Sequence, residues 1–178
     1  MRGGIWTLLF AAIIFMIRGT TPGIMALSAV TVALGQAWRC WSAGAIGLYR
    51  GENVKALRLA TTGPYALMRN PLYFGNFVIG LGWSMIAGRW AVVIFAACFW
   101  AVYVTAIIPH EEAFLRRKFG RDYEEYCGRV RRFHPAVFDM KAVTAPVDWD
   151  IVRRSEIHTI ISTIIGTAII IAVSLCYT

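Results

Sequence analysis

Acidic residues are scarce in this chain. Asp and Glu number 10 against 18 Lys and Arg, and charged residues make up only 16% of the 178 positions. With 58% of residues hydrophobic, there is too little polar surface for an ordinary soluble domain. The composition reads as a small multi-span membrane protein. Cysteine is sparse too: Cys40, Cys98, Cys127 and Cys176 stand far apart, with no C-x-x-C pair. That argues against a disulfide framework or a zinc site and leaves small apolar filler as their reading. His110 and His134 share no helical face, and no His/Cys/Asp/Glu spacing resembles a metal site. His158 reads as an interfacial residue at the start of the last span. The basic residues lie beside apolar runs, which points to lipid headgroups and away from nucleic acid. The N-terminal apolar run lacks a clear small-residue cleavage site and reads as a retained span.

Five apolar stretches are present: Ile5–Ile17, Ile24–Trp41, Leu72–Ala87, Trp90–Ile108 and Ile157–Tyr177. The first reaches spanning length only if Arg2 and Arg18 snorkel outward. Arg18-Gly19-Thr20-Thr21-Pro22-Gly23 and Gly88-Arg89 are tight turns, so the first four stretches predict two hairpins. Trp38 and Trp41 read as interface anchors, and Gly75, Gly80 and Gly82 predict close packing of the third span on the fourth. The expected fold is an all-α integral membrane protein with five transmembrane helices, two hairpins plus a C-terminal span, and a cytoplasmic amphipathic helical segment. Its parts would be an N-terminal hairpin and connector over 1–56, a catalytic region over 57–135 and an extension over 136–178. With the N-terminus cytoplasmic, every Lys and Arg except Arg18 and Arg89 falls on the cytoplasmic side. Two spans separate the polar segments 42–69 and 110–156, so both face one compartment.

The chain is organised around residues 61–76, where a basic segment turns into an apolar one. Gly63-Pro64 and Asn70-Pro71 are turn signals; Pro71 suits the first turn of a helix and Asn70 can cap it. Such a helix points unpaired N–H groups toward whatever sits over Asn70, a place for a carboxylate or phosphate. Arg69 adds a charge with bidentate reach, and Tyr65 and Tyr73 add aromatic faces with polar tips. A plain helix start at a membrane surface would use the same residue types. In the second segment, Leu115, Phe119, Tyr123, Tyr126, Val130 and Phe133 recur at helical spacing and form one apolar face, with Gly120 bending or dividing the helix. A helix lying on lipid would look alike. Glu111 and Glu112 fit that reading poorly, because adjacent carboxylates at the end of a span need a cation: Arg69, Arg131, Arg132 or a ligand ammonium. Arg131-Arg132-Phe133-His134-Pro135 closes the segment, Pro135 ending the helix and the arginines facing an anion.

Gly63-Pro64-Tyr65, Arg69-Asn70-Pro71, Tyr73 and Gly75 together resemble the first motif of the isoprenylcysteine carboxyl methyltransferase family, a branch of the phospholipid-methyltransferase-like membrane enzymes. Glu111-Glu112, Leu115, Phe119-Gly120, Tyr123, Tyr126, Val130 and Pro135 resemble its second. The resemblance implies S-adenosylmethionine as methyl donor and a lipidic acceptor entering from the bilayer. It implies a cofactor pocket lined by Tyr65, Asn70, Pro71, Tyr73 and Gly75, a carboxylate from Glu111 or Glu112 against the cofactor ammonium, flanking Tyr123 and Tyr126, and Arg131 or Arg132 on an anion. Arg69, Asn70, Glu111 and Arg132 would stand at the reacting centre. The chain departs from the eukaryotic pattern at Asn70, where that pattern has His, and at Ile107, where it has Arg. Both departures bear on the prenylcysteine substrate more than on the cofactor. A sterol-reductase-like enzyme using NADPH and a non-enzymatic binder of lipid headgroups are the alternative readings.

Overall fold

The computed structural model describes residues 2–46, 59–134, 139–144 and 146–177, with side chains from Thr7 onward. Arg50, Lys55, Arg58 and Pro135 lie outside the described residues, and with them the expected role of Pro135. Every regular element among the described residues is helical. In order they are α1 (Arg2–Met16), α2 (Pro22–Ile46), a 3₁₀ turn (Gly63–Ala66), α3 (Pro71–Ile86) and α4 (Arg89–Phe99). A π-helical segment (Trp100–Ile107) follows, then α5 (Ile108–Phe119), α6 (Arg121–Arg129), α7 (Met140–Val143) and α8 (Trp149–Leu175).

The chemistry of the ends explains where elements start and stop. Pro71 opens α3 with no amide hydrogen to lose. Asp148 caps α8, its Oδ1 accepting from the amides of Asp150 at 3.0 Å and Ile151 at 3.1 Å. Gly120, at φ +50°, divides α5 from α6 as its position predicts. Upstream of it the helix is longer than expected: Arg89–Phe119 is one helix of 31 residues, absorbing both the fourth span and the glutamate pair.

Among the described residues, two helices are long and apolar enough to cross a membrane, Arg89–Phe119 with mean hydropathy 2.5 and Trp149–Leu175 with 2.0. Their outer faces carry exposed Val93, Ile94, Ile161, Ile164 and Ile165, side chains suited to lipid. The C-terminal helix begins well before Ile157, because its first turns bury Ile151, Val152 and Glu156 against the bundle. Hydropathy registers only the apolar run that follows.

The glycines of α3 pack differently from expectation. Gly75 and Gly82 face α2, and only Gly80 faces α4, where Phe95 fills the place of a side chain. The Ser28 hydroxyl donates to the carbonyl of Gly82 at 2.7 Å across the α2–α3 contact. Small residues at these positions let the two backbones nearly touch. The first helix packs on α3 and α4, its Phe10 meeting Trp83 edge-on at 5.2 Å. Between α3 and α4 runs an aromatic column, Phe77, Phe95, Phe99, Tyr103 and Tyr73, with Phe99 and Tyr103 stacked at 4.6 Å. Trp38 and Trp41 contact each other at 5.2 Å, and Trp38 packs on Phe74 at 5.3 Å, so Trp38 serves the bundle as well as any interface.

Candidate functional site

The start of α3 and the start of α5 come together, and one carboxylate ties them. Glu112 is buried, at 6% exposure. Arg132 donates to it with a fork, Nε to Oε2 at 3.0 Å and Nη2 to Oε2 at 2.9 Å. Arg69 Nη2 approaches Oε1 at 3.3 Å, and Asn70 Nδ2 donates to the same oxygen at 3.3 Å. Asn70 precedes Pro71 as expected but makes no capping hydrogen bond; its amide is spent on Glu112. Of the two adjacent glutamates, Glu112 binds Arg69 and Arg132, and Glu111 is half-buried beside it. Hydrogen bonds to Glu112 hold the Arg132 guanidinium charged more firmly than an ordinary arginine.

Main-chain bonds fix this geometry. The amide of Arg69 donates to the carbonyl of Arg131 at 3.0 Å, and the amide of Arg131 to that of His134 at 3.0 Å. The side chain of Arg131 is exposed, so its backbone joins the site and its guanidinium does not. The apolar face read from the sequence is real, but it covers protein: Tyr123, Tyr126 and Val130 pack with Leu59, Leu115 and Phe119. Phe133 leaves that face and lies against Trp100 at 6.2 Å. The Tyr126 hydroxyl donates to the carbonyl of Tyr65 at 2.7 Å, which clamps α6 onto the 3₁₀ turn.

The remaining expected residues divide between two neighbours. Pro71 and Gly75 face α2: Trp38 Nε1 donates to the Pro71 carbonyl at 3.1 Å, and a Cβ on Gly75 would meet Arg39 Cγ at 2.5 Å. Tyr73 faces Tyr103 of the π-helical segment at 5.4 Å. Cys127 was passed over as filler, yet its Sγ accepts from Arg69 Nη1. Its place one turn after Tyr123, on the same helical face, is the signal that could have found it.

Arg69 Nε is buried without a hydrogen bond, and the buried Tyr123 hydroxyl has the weakly accepting Cys127 sulfur beside it. Tyr123 is 1% exposed. Arg69 Nε, buried with no hydrogen bond, calls for an acceptor oxygen. The residues therefore fit the amino-acid end of a zwitterionic ligand: its carboxylate by the arginines and Tyr123, its ammonium by Glu111 or Glu112.

Burial pushes the hydroxyls of Tyr123 and Tyr126 above the ordinary phenol range, and for Tyr123 the Glu112 charge adds to the effect. The folded chain holds these protons more tightly than the unfolded chain. Stability present below about pH 10 is therefore lost as pH rises beyond it. Tyr123→Phe removes one such group and a buried donor whose neighbour, the Cys127 sulfur, is a weak acceptor. The ligand-free variant is expected to melt at or slightly above the wild type, by about 1 kcal/mol at most, and to lose less stability above about pH 10. Thermal melts in detergent on either side of that pH check this, and a lower melting temperature would show that the hydroxyl has a stabilising partner.

These observations define a helical membrane protein with a carboxylate–guanidinium site at the end of a buried helix pair. Residues 23–122 match the phospholipid methyltransferase family, and the chain belongs to that family. It is 38% identical over 81 residues to a probable protein-S-isoprenylcysteine O-methyltransferase of Oryza sativa subsp. indica, covering 45% of this chain and 42% of the rice protein. It is 30% identical over 145 residues to the nickel-cobalt-cadmium resistance protein NccN of Alcaligenes xylosoxydans xylosoxydans, covering 75% of this chain and 64% of that protein. A Delta(14)-sterol reductase of Mus musculus is 32% identical over 77 residues, which are 18% of its length. The chain thus spans well under half of the rice protein and under two thirds of NccN. No solved structure matches it.

Proposed function

We propose that the chain is an S-adenosylmethionine-dependent methyltransferase whose acceptor is lipidic and enters from the bilayer. The observation that carries this reading is the convergence of Arg69, Asn70 and Arg132 on buried Glu112, which joins the two segments that resemble the isoprenylcysteine carboxyl methyltransferase motifs. The cofactor, when bound, supplies an electrophilic methyl group on a sulfonium. The chain's part is to grip the amino-acid end, orient the methyl group and exclude water. Arg69 and Arg132 take the ligand carboxylate, and Glu111 or Glu112 takes the ammonium. Tyr123 and Tyr126, held protonated by burial, act as donors and not as bases. A carboxylate acceptor such as that of a prenylcysteine-like lipid is ionised near neutral pH and needs no general base. The proposed topology has five spans, with the N-terminus and the site on the cytoplasmic face, following the distribution of positive charge.

The reductase alternative is disfavoured by Asn76, which stands where sterol reductases often carry an acidic residue and which is held by Arg39. The test is incubation of purified protein with methyl-labelled S-adenosylmethionine and membrane lipids, alongside calorimetric titration of the cofactor. Label in a lipid fraction and a saturable heat are expected. Neither label nor heat would overturn the assignment. Arg132→Ala separates an enzyme from a headgroup-binding protein: it is expected to remain folded and lose cofactor affinity by about tenfold or more.

A further inference from the structure

A second buried ion pair lies below the site, away from the Glu112 cluster. Arg39 of α2 is 5% exposed and Glu156 of α8 is fully buried. Arg39 donates to Glu156 Oε2 through Nε at 3.2 Å and Nη2 at 2.9 Å. Its remaining arm, Nη1, donates to Asn76 Oδ1 on α3. A guanidinium and a carboxylate at this depth are costly, and their pairing offsets that cost only while the three helices stay in register. The contact lands on one stretch of α3: Asn76 takes the hydrogen bond, Gly75 gives up its side chain to the stem of Arg39, and Pro71 takes the bond from neighbouring Trp38. Asn70, the residue that reaches Glu112, immediately precedes that stretch.

We propose that Arg39 is a positioning residue for the Asn70-Pro71 turn, and that Glu156 of the C-terminal helix holds Arg39 in place. This inference rests on the cofactor-site reading above. It makes α8 part of the site's support and extends the machinery beyond residues 57–135. The mechanism is geometric. The first turn of α3 has no capping bond of its own, so its rotation about the helix axis is set by what grips its far face. Arg39 and Trp38 grip it there, and a small rotation would carry Asn70 Nδ2 away from Glu112.

Asn76→Ala tests this with the ion pair left intact, and Glu156→Gln tests it from the other side, keeping a carbonyl oxygen for Arg39. Each variant and the wild type would be titrated with S-adenosylmethionine, melted in detergent and followed by amide hydrogen exchange. Both variants are expected to weaken the cofactor Kd about tenfold, with faster exchange confined to residues 69–76 and a melting temperature lowered less by Asn76→Ala, which keeps the ion pair, than by Glu156→Gln. Wild-type affinity in Asn76→Ala would overturn the proposal. So would faster exchange spread through the whole bundle, which marks a merely structural pair. Should wild-type protein bind no cofactor, the functional reading falls, and locally faster exchange at 69–76 would still support the positioning of the turn.

Discussion

Replacing Glu112 by alanine is expected to cost about 3–5 kcal/mol of stability and to abolish cofactor binding. The magnitude follows from what the carboxylate neutralises. The Arg69 side chain is 14% exposed and cannot turn to water, so removal of Glu112 strands a buried cation and the amide of Asn70 together. Arg132, at 39% exposure, can swing outward and contributes less to the loss. An order of effects results. Glu112→Ala is worst; Glu112→Gln keeps an acceptor oxygen and loses roughly half as much. Arg132→Ala, which leaves Arg69 and Asn70 on Glu112, loses about 1 kcal/mol. Binding would not follow that order, because Arg132→Ala removes a ligand contact directly. Unfolding in detergent followed by helical circular dichroism measures the first series, and calorimetry the second. For a chain of this size the Glu112→Ala loss corresponds to a fall of roughly 10 °C in Tm. A wild-type melt for Glu112→Ala would mean that the cluster does not hold the two motifs together.

Much of this arrangement was legible in the residues before any coordinates. Asn70-Pro71 announced a helix start because proline has a fixed φ and no amide to waste. Gly120 announced a break, and the four-residue spacing through Leu115, Phe119 and Tyr123 announced a buried face. Each of these signals is local. What could not be read was partnership across the chain. Adjacent glutamates give no local hint as to which one turns inward; that is fixed by the phase of a helix that begins at Arg89 and passes through a π-helical segment. The same holds for Asn70, whose amide caps nothing because Glu112 offers it a charged acceptor. Arg39 and Glu156, 117 positions apart, each stand in the sequence at the polar edge of an apolar run. Their pairing depends on α2 and α8 packing at that depth, which hydropathy does not encode. Gly75 was legible as a site of close approach, but the neighbour was not: composition suggested the next helix in the chain, and α2 took the place.

Gly35→Leu is expected to be as damaging as a loss in the site itself, although residue 35 touches no site residue except Gly75. A Cβ at position 35 would sit 2.8 Å from the amide nitrogen of Ile79 and 3.1 Å from the carbonyl of Gly75. Both are main-chain atoms of α3 and cannot rotate aside, so the helices must separate. Overpacking of this kind costs typically 1–3 kcal/mol in cores that can adjust, and a backbone obstacle belongs at the upper end of that range. The consequence extends past stability. Moving α2 outward draws Trp38 from Pro71 and Arg39 from Asn76, and with them the support of the turn that presents Asn70 to Glu112. Melting temperature and cofactor affinity should therefore fall together. Gly128→Ala is the matched control, since nothing lies within 4 Å of a Cβ there, and alanine in the last turn of α6 should add a few tenths of a kcal/mol by helix propensity. Thermal melts of both variants with and without S-adenosylmethionine decide the matter. If Gly35→Leu lowered Tm while cofactor binding stayed intact, the α2–α3 contact would hold the bundle together without orienting the site.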